Sequence, residues 1–141
     1  MDAASSLHVP GSVAGQGAAR AGFDAFLAAH RLAPGATWRF QVALDEVLSN
    51  IAKYARTVEG ERAQVELRIG LRGDTLEVEV IDDAVAFNPL EAPGPDVTEP
   101  VETRKVGGLG LALVRQLMDT VEYERQGDRN RLLLRRRLAA V

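Results

Sequence analysis

Apolar residues recur at two different spacings along this chain, and the spacing predicts where helices and strands lie. Two long segments carry an apolar side chain every three or four residues, which is the period of one helix face. Other segments alternate apolar and polar side chains, as strands with one buried face do. In chain order the pattern predicts a strand at 6–9, helices at 12–32 and 37–56, strands at 63–71 and 75–80, a helix at 111–119, and strands at 121–125 and 130–138.

The order of these elements predicts an α+β fold, a two-layer sandwich with the helices on one face of a mostly antiparallel sheet. The turn at Arg72-Gly73-Asp74 joins two alternating segments directly, which favours an antiparallel hairpin. Arg135-Arg136-Arg137 is also compatible with a helix, and a strand is the preferred interpretation. With 141 residues, 46% of them hydrophobic and 26% charged, the chain has the size and composition of a single globular domain over 1–141.

Composition excludes several kinds of site. The chain has no cysteine, which excludes disulfides, thiol catalysis and cysteine-ligated metals, and its two histidines do not suffice for a histidine-rich metal site. A net charge of −3 gives no general field for nucleic acid, and the C-terminal arginines lack aromatic partners. The N-terminus lacks the features of a secretory signal, and no apolar run approaches the roughly 20 residues of a membrane span. We therefore expect a cytoplasmic protein without nucleic-acid or membrane partners.

Three polar positions are not explained by a hydrophobic core. Glu46 and Asn50 lie four residues apart, so about 40° apart around the second helix, and off the centre of its apolar stripe. On their own these two residues are most simply interpreted as part of a solvated face. Asp82 continues the buried parity of Val78 and Val80, where a carboxylate is costly unless a hydrogen-bond donor meets it.

Two segments of the second half of the chain also suggest a ligand site. Residues 84–106 include four prolines and show no period, which is typical of a functional lid or a disordered loop. Gly107-Gly108-Leu109-Gly110 then leads into a helix, where backbone N–H groups and the helix dipole can hold a phosphate. The glycines alone are a weak signal, because they match neither a P-loop nor a dinucleotide-binding fingerprint.

Together these features resemble the GHKL ATPase superfamily, and within it the stand-alone anti-sigma-factor serine/threonine kinases. The order and spacing of the motifs agree over nearly the whole chain, from Leu7 to Leu138. The segments that carry the resemblance are ALDEVLSNIAKYA at 43–55, VIDDAVAFNPL at 80–90, VGGLGLALVRQLMD at 106–119 and VEYERQGDRNRLLL at 121–134.

The resemblance implies a role for each of the three unexplained polar residues, with ATP or ADP and Mg²⁺ as cofactors. Glu46 matches the glutamate that acts as general base toward a substrate serine. Asn50 matches the asparagine that coordinates magnesium, and a neutral oxygen suits that hard cation. Asp82 matches the aspartate that accepts the amino group of adenine, which accounts for a carboxylate on the buried parity of a strand.

The resemblance also implies that the second half of the chain binds the nucleotide. Residues 84–106 match the ATP lid, which Phe87 and its neighbours begin, and Gly107 matches a lid hinge. Gly108 and Gly110 match glycines whose backbone lies against the phosphates. Arg104 and Lys105 can reach phosphate oxygens, and a solvated pair explains them equally well. The implied cofactor-binding residues are Asn50, Asp82, Ala84, Phe87, Arg104, Lys105, Gly107, Gly108, Leu109, Gly110 and Leu111, of which the leucines fit the core better than adenine contact.

The chain departs from the family pattern at three places. The first glycine box has Ala84 where the family usually has glycine, and Ala86 stands where glycine or proline is frequent. Each alanine adds a methyl group and requires an ordinary φ, which can weaken nucleotide binding or merely shift the loop. The threonine common near the end of the domain has no match among Leu132, Leu133 and Leu134.

The function implied is an anti-sigma factor that is also a serine/threonine-protein kinase. Such a protein binds Mg-ATP, sequesters a sigma factor and phosphorylates a STAS-domain antagonist, and the resemblance implies a homodimer. Phosphorylation adds about −1.5 to −2 charges and breaks the antagonist complex. The alternative is a nucleotide-binding module that sequesters a partner without kinase activity, and a third interpretation is a scaffold that binds no nucleotide.

Overall fold

Five strands and three helices make up most of the molecule in a computed structural model, which describes residues 2–89 and 107–138, and 107–110 by backbone alone. The α+β prediction is confirmed, and Arg135–Arg137 are in a strand. In chain order the elements are β1 (Asp2–Pro10), α1 (Val13–Ala29), α2 (Pro34–Tyr54), β2 (Gln64–Arg72), β3 (Thr75–Asp82), α3 (Gly107–Leu117), β4 (Thr120–Gln126) and β5 (Arg129–Arg137).

The five strands form one sheet in the order β1-β2-β3-β5-β4, and every neighbouring pair is antiparallel. Strand β3 is therefore central, with β2 on one side and β5 on the other. The register places Asp82, the last residue of β3, opposite Val65 of β2 and Asn130 of β5. The end of β3 is thus enclosed by two strands that come from distant parts of the chain.

The core lies between one face of the sheet and the helices. Alternate residues of the three central strands are buried, and they pack with the apolar faces of the helices as the alternation predicted. Helix α2 contacts both α1 and α3, so it lies between them. No helix within the described ranges is long and apolar enough to cross a membrane. The largest fully buried side chains include Phe23, Phe40, Leu44, Leu67, Ile69, Leu76 and Leu134.

The starts of β1 and α3 differ most from the sequence predictions. Strand β1 starts at Asp2 rather than at 6, because its first residues pair with β2 although they carry no apolar alternation. Helix α3 starts at Gly107 rather than at 111, so the glycine segment is its first turn. Glycine costs about 1 kcal/mol per residue in a helix interior, which favoured a loop there. Packing of α3 on α2 provides stabilisation that outweighs this preference.

Helix α1 starts against the end of β1, and Gly15 makes this close approach possible. The hydroxyl of Ser12 caps the helix by accepting a hydrogen bond from the backbone N–H of Gly15 at 3.1 Å. A Cβ atom on Gly15 would overlap the carbonyl group of Pro10. Gly17, two residues later on the same helix, has no atom within 4 Å of the corresponding Cβ position.

These two glycines provide a matched pair of substitutions. We expect Gly15→Ala to destabilise the protein by about 1–3 kcal/mol, because the methyl group forces α1 away from β1. Gly17→Ala is expected to stabilise it by about 0.5–1 kcal/mol, since alanine favours the helix and meets no neighbour. Urea denaturation of both variants measures the difference. A shift of both midpoints in the same direction would contradict the packing described for α1.

Helix α3 is held at its C-terminal end by Arg136 of β5. The guanidinium of Arg136 donates a hydrogen bond of 3.1 Å to the carbonyl oxygen of Leu117, the last residue of the helix, and lies 3.7 Å from Asp119. Carbonyl groups in the last turn of a helix have no partner within the helix, so a cation there satisfies one of them. The contact therefore fixes the end of α3 that is opposite to its glycine turn.

We expect Arg136→Met to lower the stability of the protein by about 1–2 kcal/mol, because it removes a charged donor from a helix end. The neighbouring Arg137 pairs with Asp74 at the exposed end of β5. Arg137→Met is the control, and exposed pairs of this kind contribute little. Thermal melts of both variants test this contrast, and an equal loss in the two would contradict a capping role for Arg136.

Candidate functional site

Glu46 and Asn50 lie one turn apart on α2, as the sequence predicted. Four residues correspond to about 6 Å along the helix and 40° around it, so the two side chains share one side of α2. Both are half-buried, next to the core residues Val47 and Leu48. Within residues 2–89 and 107–138, neither side chain makes a hydrogen bond or an ion pair. A carboxylate and a carboxamide are therefore available to a ligand on this side.

The rotation of α2 is fixed beside Glu46 by a polar cluster shared with α1. The guanidinium of Arg20 bonds to Asp24 on its own helix at 3.1 Å and to Asp45 on α2. The amide group of Gln41 donates a further bond of 3.0 Å to Asp24. Because Asp45 directly precedes Glu46, these contacts restrain the direction in which Glu46 leaves the helix.

Asp82 lies at the end of β3 and is half-buried, on the same parity as Val78 and Val80. Its Oδ1 atom accepts two hydrogen bonds, from the backbone N–H of Ala84 at 3.0 Å and from the Nδ2 of Asn130 at 2.9 Å. Within the described part of the chain, Oδ2 has no partner. Burial raises the pKa of Asp82 above the ordinary aspartate value, although the bonds from Asn130 and Ala84 act in the opposite direction.

Asn130 was not predicted from the sequence, although the structure places it at the centre of this region. Its side chain is 6% exposed and faces Asp82 across the β3–β5 pair. A signal was present, because Asn130 shares its parity with the buried Leu132 and Leu134. A polar residue among the alternate positions that face the core needs a hydrogen-bond partner, at 130 as at Asp82.

The segment that follows Asp82 adopts an ordinary backbone conformation, which is compatible with alanine in place of the glycine of the family pattern. Ala84 is buried and does not have a positive φ, so alanine fits there without strain. Ala86 is exposed. The Phe87 side chain is 62% exposed, while its backbone N–H donates to the Oδ1 of Asn130 at 3.3 Å. Ala84 and Phe87 therefore lie close to Asp82, as expected of a shared site.

One backbone contact connects this segment to the helix that carries Glu46 and Asn50. The N–H of Val85 donates a hydrogen bond of 3.0 Å to the carbonyl oxygen of Arg56, two residues after the end of α2. Asn50 lies in the turn before that end. The chain therefore brings the C-terminal end of α2 and the residues after Asp82 together, although their sequence positions are about 30 residues apart.

The glycine segment forms the start of a helix that packs on α2. Residues 107–110 are the first turn of α3, where backbone N–H groups have no partner within the helix. N–H groups at such a helix start can hold an anion. Leu111 is buried, in agreement with its expected place in the core. Arg104, Lys105 and residues 90–106 of the predicted lid lie outside the described residues.

The described residues do not enclose a nucleotide-sized cavity at Asp82. The cavity beside it has a volume of about 80 Å³ and is lined in part by Gln64, Asp82 and Asp83. Small-molecule pockets usually measure about 300–1,000 Å³. In the described ranges no group of three or more acidic or histidine side chains is arranged to hold a metal ion. Among the described residues, the groups available to a ligand are thus one carboxylate oxygen of Asp82, the Glu46 carboxylate, the Asn50 carboxamide and the backbone N–H groups in the first turn of α3.

This arrangement can be compared with known proteins. The profile of the family described as the histidine kinase-like ATPase domain matches residues 10–136. The chain is 31% identical over 98 residues to the serine/threonine-protein kinase BtrW of Bordetella bronchiseptica, which covers 68% of each protein. It is 35% identical over 86 residues to the serine-protein kinase RsbW of Bacillus mycoides, covering 58% of this chain and 52% of that protein. The chain thus spans about half the length of the RsbW relative.

Among solved structures, the chain is similar to the RsbU and RsbW domains of Rv1364c from Mycobacterium tuberculosis. The TM-score is 0.67 and the match covers 96% of this chain and 32% of that chain, at 12% sequence identity. At this identity the likeness shows the fold alone. The fold therefore agrees with the family profile, which is derived from sequence.

Proposed function

The chain belongs to the histidine kinase-like ATPase domain family, and on this premise we propose that it is a protein serine/threonine kinase that binds Mg-ATP in a single domain. The observation that carries the proposal is Asp82, a half-buried carboxylate with one oxygen satisfied and the other without a partner among the described residues. Such an oxygen suits an amino group on a planar base. The relatives named serine-protein kinases support the choice of reaction.

The chain offers a binding group for each part of Mg-ATP. Asp82 Oδ2 would accept the exocyclic amino group of adenine. The first turn of α3 would present backbone N–H groups to the phosphates, since this helix end carries positive potential. The carboxamide oxygen of Asn50 would be the protein ligand of Mg²⁺, and its half-buried side chain, which has no partner within 2–89 and 107–138, fits that role. Bound Mg²⁺ supplies neutralisation of the phosphate charge.

Glu46 would act on the protein substrate. Its carboxylate accepts the proton of a serine or threonine hydroxyl as that oxygen forms a bond to the γ-phosphorus. The bond between this phosphorus and the β–γ bridging oxygen breaks, and ADP leaves. Glu46 lies about 6 Å from Asn50 along α2, so base and metal ligand are on one side of one rigid element.

We propose the partners that the family resemblance implies. One is a sigma factor held inactive by direct binding, and the other is a STAS-domain antagonist that receives the phosphoryl group. The added phosphate charge would separate the antagonist from this protein, and this protein would then be free to bind the sigma factor again. We also propose a cytoplasmic location, because sigma factors act where transcription occurs. The homodimer that the family resemblance implies is part of the same proposal.

A second candidate is a module that binds nucleotide and sequesters a partner without phosphoryl transfer. It is favoured by one observation: no group in residues 2–89 and 107–138 forms a hydrogen bond that orients Glu46. A general base is usually held by such a bond. Under this alternative Asp82 and Asn50 would still be needed, whereas Glu46 would be dispensable.

Calorimetric titration of the purified protein with ATP and ADP, with and without Mg²⁺, tests the proposal. We expect 1:1 binding that is stronger in the presence of Mg²⁺. Incubation with labelled ATP and STAS-domain proteins then distinguishes the two candidates, since only the kinase transfers label. Absence of binding at millimolar nucleotide would refute both candidates and leave a protein-binding scaffold.

A further inference from the structure

Asn130 uses its whole hydrogen-bonding capacity in one buried place. Its Nδ2 donates to Asp82 Oδ1 at 2.9 Å, to the carbonyl oxygen of Val85 at 3.0 Å and, more weakly, to that of Ala84 at 3.4 Å. Its Oδ1 accepts from the Tyr123 hydroxyl at 2.5 Å, from Arg125 at 3.2 Å and from the N–H of Phe87 at 3.3 Å. One side chain therefore bonds to the base-site carboxylate and to the backbone at three of the four residues from 84 to 87.

The orientation of this amide is determined by its partners. Arginine and a backbone N–H can only donate, so they require the oxygen end of Asn130, while carbonyl groups can only accept and require the nitrogen end. Reversing the amide would break the contacts with Arg125, with the Phe87 N–H and with the two carbonyl groups at once. Nδ2 must therefore face Asp82, and the oxygen that it bonds has to be an unprotonated acceptor.

We propose that Asn130 is the positioning residue that sets the base selectivity of this protein, by fixing Asp82 and the backbone after it as one unit. The proposal rests on the proposed nucleotide site. Because Asn130 occupies Oδ1, only Oδ2 is presented to a ligand, and it is presented as an acceptor. A purine with an amino group at position 6 satisfies this oxygen, whereas a purine with a carbonyl group there places two acceptors together.

Arg125 makes the unit rigid from the other side. The guanidinium of Arg125 bonds to the carbonyl oxygen of Ala84 at 2.9 Å and to that of Gly127 at 3.1 Å. It therefore joins the residue after Asp83 to the β4–β5 turn. Asn130 and Arg125 both bond to the Ala84 carbonyl, so a position where relatives usually have glycine is held here through its backbone.

The test compares ATP with inosine triphosphate, which has a carbonyl group at purine position 6. Calorimetry on the full chain is expected to show at least a tenfold preference for ATP in the wild type. Asn130→Leu should bring that preference close to one, and Asn130→Ser, which keeps a single hydroxyl, should have an intermediate effect. Tyr123→Phe is the control, because it leaves the bonds from Asn130 to Asp82 and to the carbonyl groups intact, and its preference should stay near that of the wild type.

Hydrogen exchange of the nucleotide-free protein gives a second measurement. The Phe87 amide should exchange several-fold faster in Asn130→Leu than in the wild type, while amides of the central strand β3 keep their rates. Asn130→Ser replaces Asn130→Leu if the latter does not fold.

The outcomes separate this inference from the proposed function. A wild type that prefers ATP and an Asn130→Leu variant with the same preference would overturn the role of Asn130 and leave the kinase proposal standing. An unchanged Phe87 exchange rate in that variant would also overturn it. A wild type that binds no ATP would refute the proposed function itself, and the selectivity role with it.

Discussion

Asp82→Asn is expected to weaken adenine-nucleotide binding strongly and, at neutral pH, to raise the thermal stability of the nucleotide-free protein. The amide oxygen of asparagine can still accept the bonds from Ala84 and Asn130. Its other end becomes an NH₂ group, which faces the amino group of adenine with a second donor. Losing a hydrogen bond to a charged group and leaving a donor unpaired costs about 2–3 kcal/mol, or roughly a hundredfold in affinity.

The gain in stability follows from the raised pKa of Asp82. A carboxyl whose pKa is raised by folding binds its proton more tightly in the folded than in the unfolded state. Its contribution favours folding at low pH and is lost as the pH rises from the unfolded pKa through the raised folded value. At neutral pH the wild type therefore keeps a partly desolvated charge, and asparagine removes that cost.

Asp83→Asn is the matched control for this prediction. Asp83 is exposed, and its Oδ1 accepts a hydrogen bond of 2.7 Å from the backbone N–H of Gln64, which an amide oxygen can also accept. Calorimetry and thermal melts at pH 5 and pH 7 should show near-wild-type ATP affinity for Asp83→Asn. The difference in stability between Asp82→Asn and the wild type should be larger at pH 7. Equal loss of ATP binding in the two variants would show that charge alone, rather than Asp82 Oδ2, binds the base.

Glu46 and Asn50 should separate phosphoryl transfer from binding. Glu46→Gln is expected to lower the transfer rate by about 10²–10⁴-fold, the usual contribution of a general base, with ATP affinity unchanged. Asn50→Ala should remove the dependence of ATP binding on Mg²⁺, because the methyl side chain offers the cation no oxygen. The two substitutions lie one turn apart on α2, so differences in helix position do not explain different phenotypes.

Single-turnover phosphorylation of a STAS-domain substrate and calorimetry with and without Mg²⁺ measure the two effects. Glu59→Gln, in the exposed turn after α2, removes one negative charge outside the site and serves as the control. If Glu46→Gln and Asn50→Ala lose ATP binding equally, the division into base and metal ligand is wrong. If Glu46→Gln retains full transfer, Glu46 is not the base.

The sequence predicted the elements well wherever one periodicity dominates. Residues 64–72 and 75–82 alternate cleanly because one face of each strand packs on helices, and the apolar stripe of α2 is equally regular. The start of α3 was wrong because local preference disfavours glycine in a helix, while the packing that overrides it comes from α2, far away in sequence. The local sequence pattern carries no information about this packing between distant segments.

The site was predicted in part for a related reason. Asp82 stands out locally against the alternation of its own strand. Glu46 and Asn50 lie on one helix, and the family resemblance identified them, since their local pattern is that of a solvated face. Asn130 faces Asp82 only because β5 pairs with β3 after a crossover through α3, and that register is not fixed by any turn. The neighbouring Gly127-Asp128 turn fixes only the pairing of β5 with β4.

The hydrogen bonds around Asn130 also determine how this region can change in evolution. At Ala84, Val85 and Phe87 the contacts use backbone atoms, so the Asn130 amide makes no hydrogen bond to these side chains. At the exposed positions Val85 and Phe87, substitutions that keep the backbone conformation leave these contacts intact. The contact between Asp82 and Asn130, in contrast, joins two side chains. Positions 82 and 130 should therefore covary among relatives. A motif written as glycines would miss chains of this kind, whereas one written as this pair would detect them.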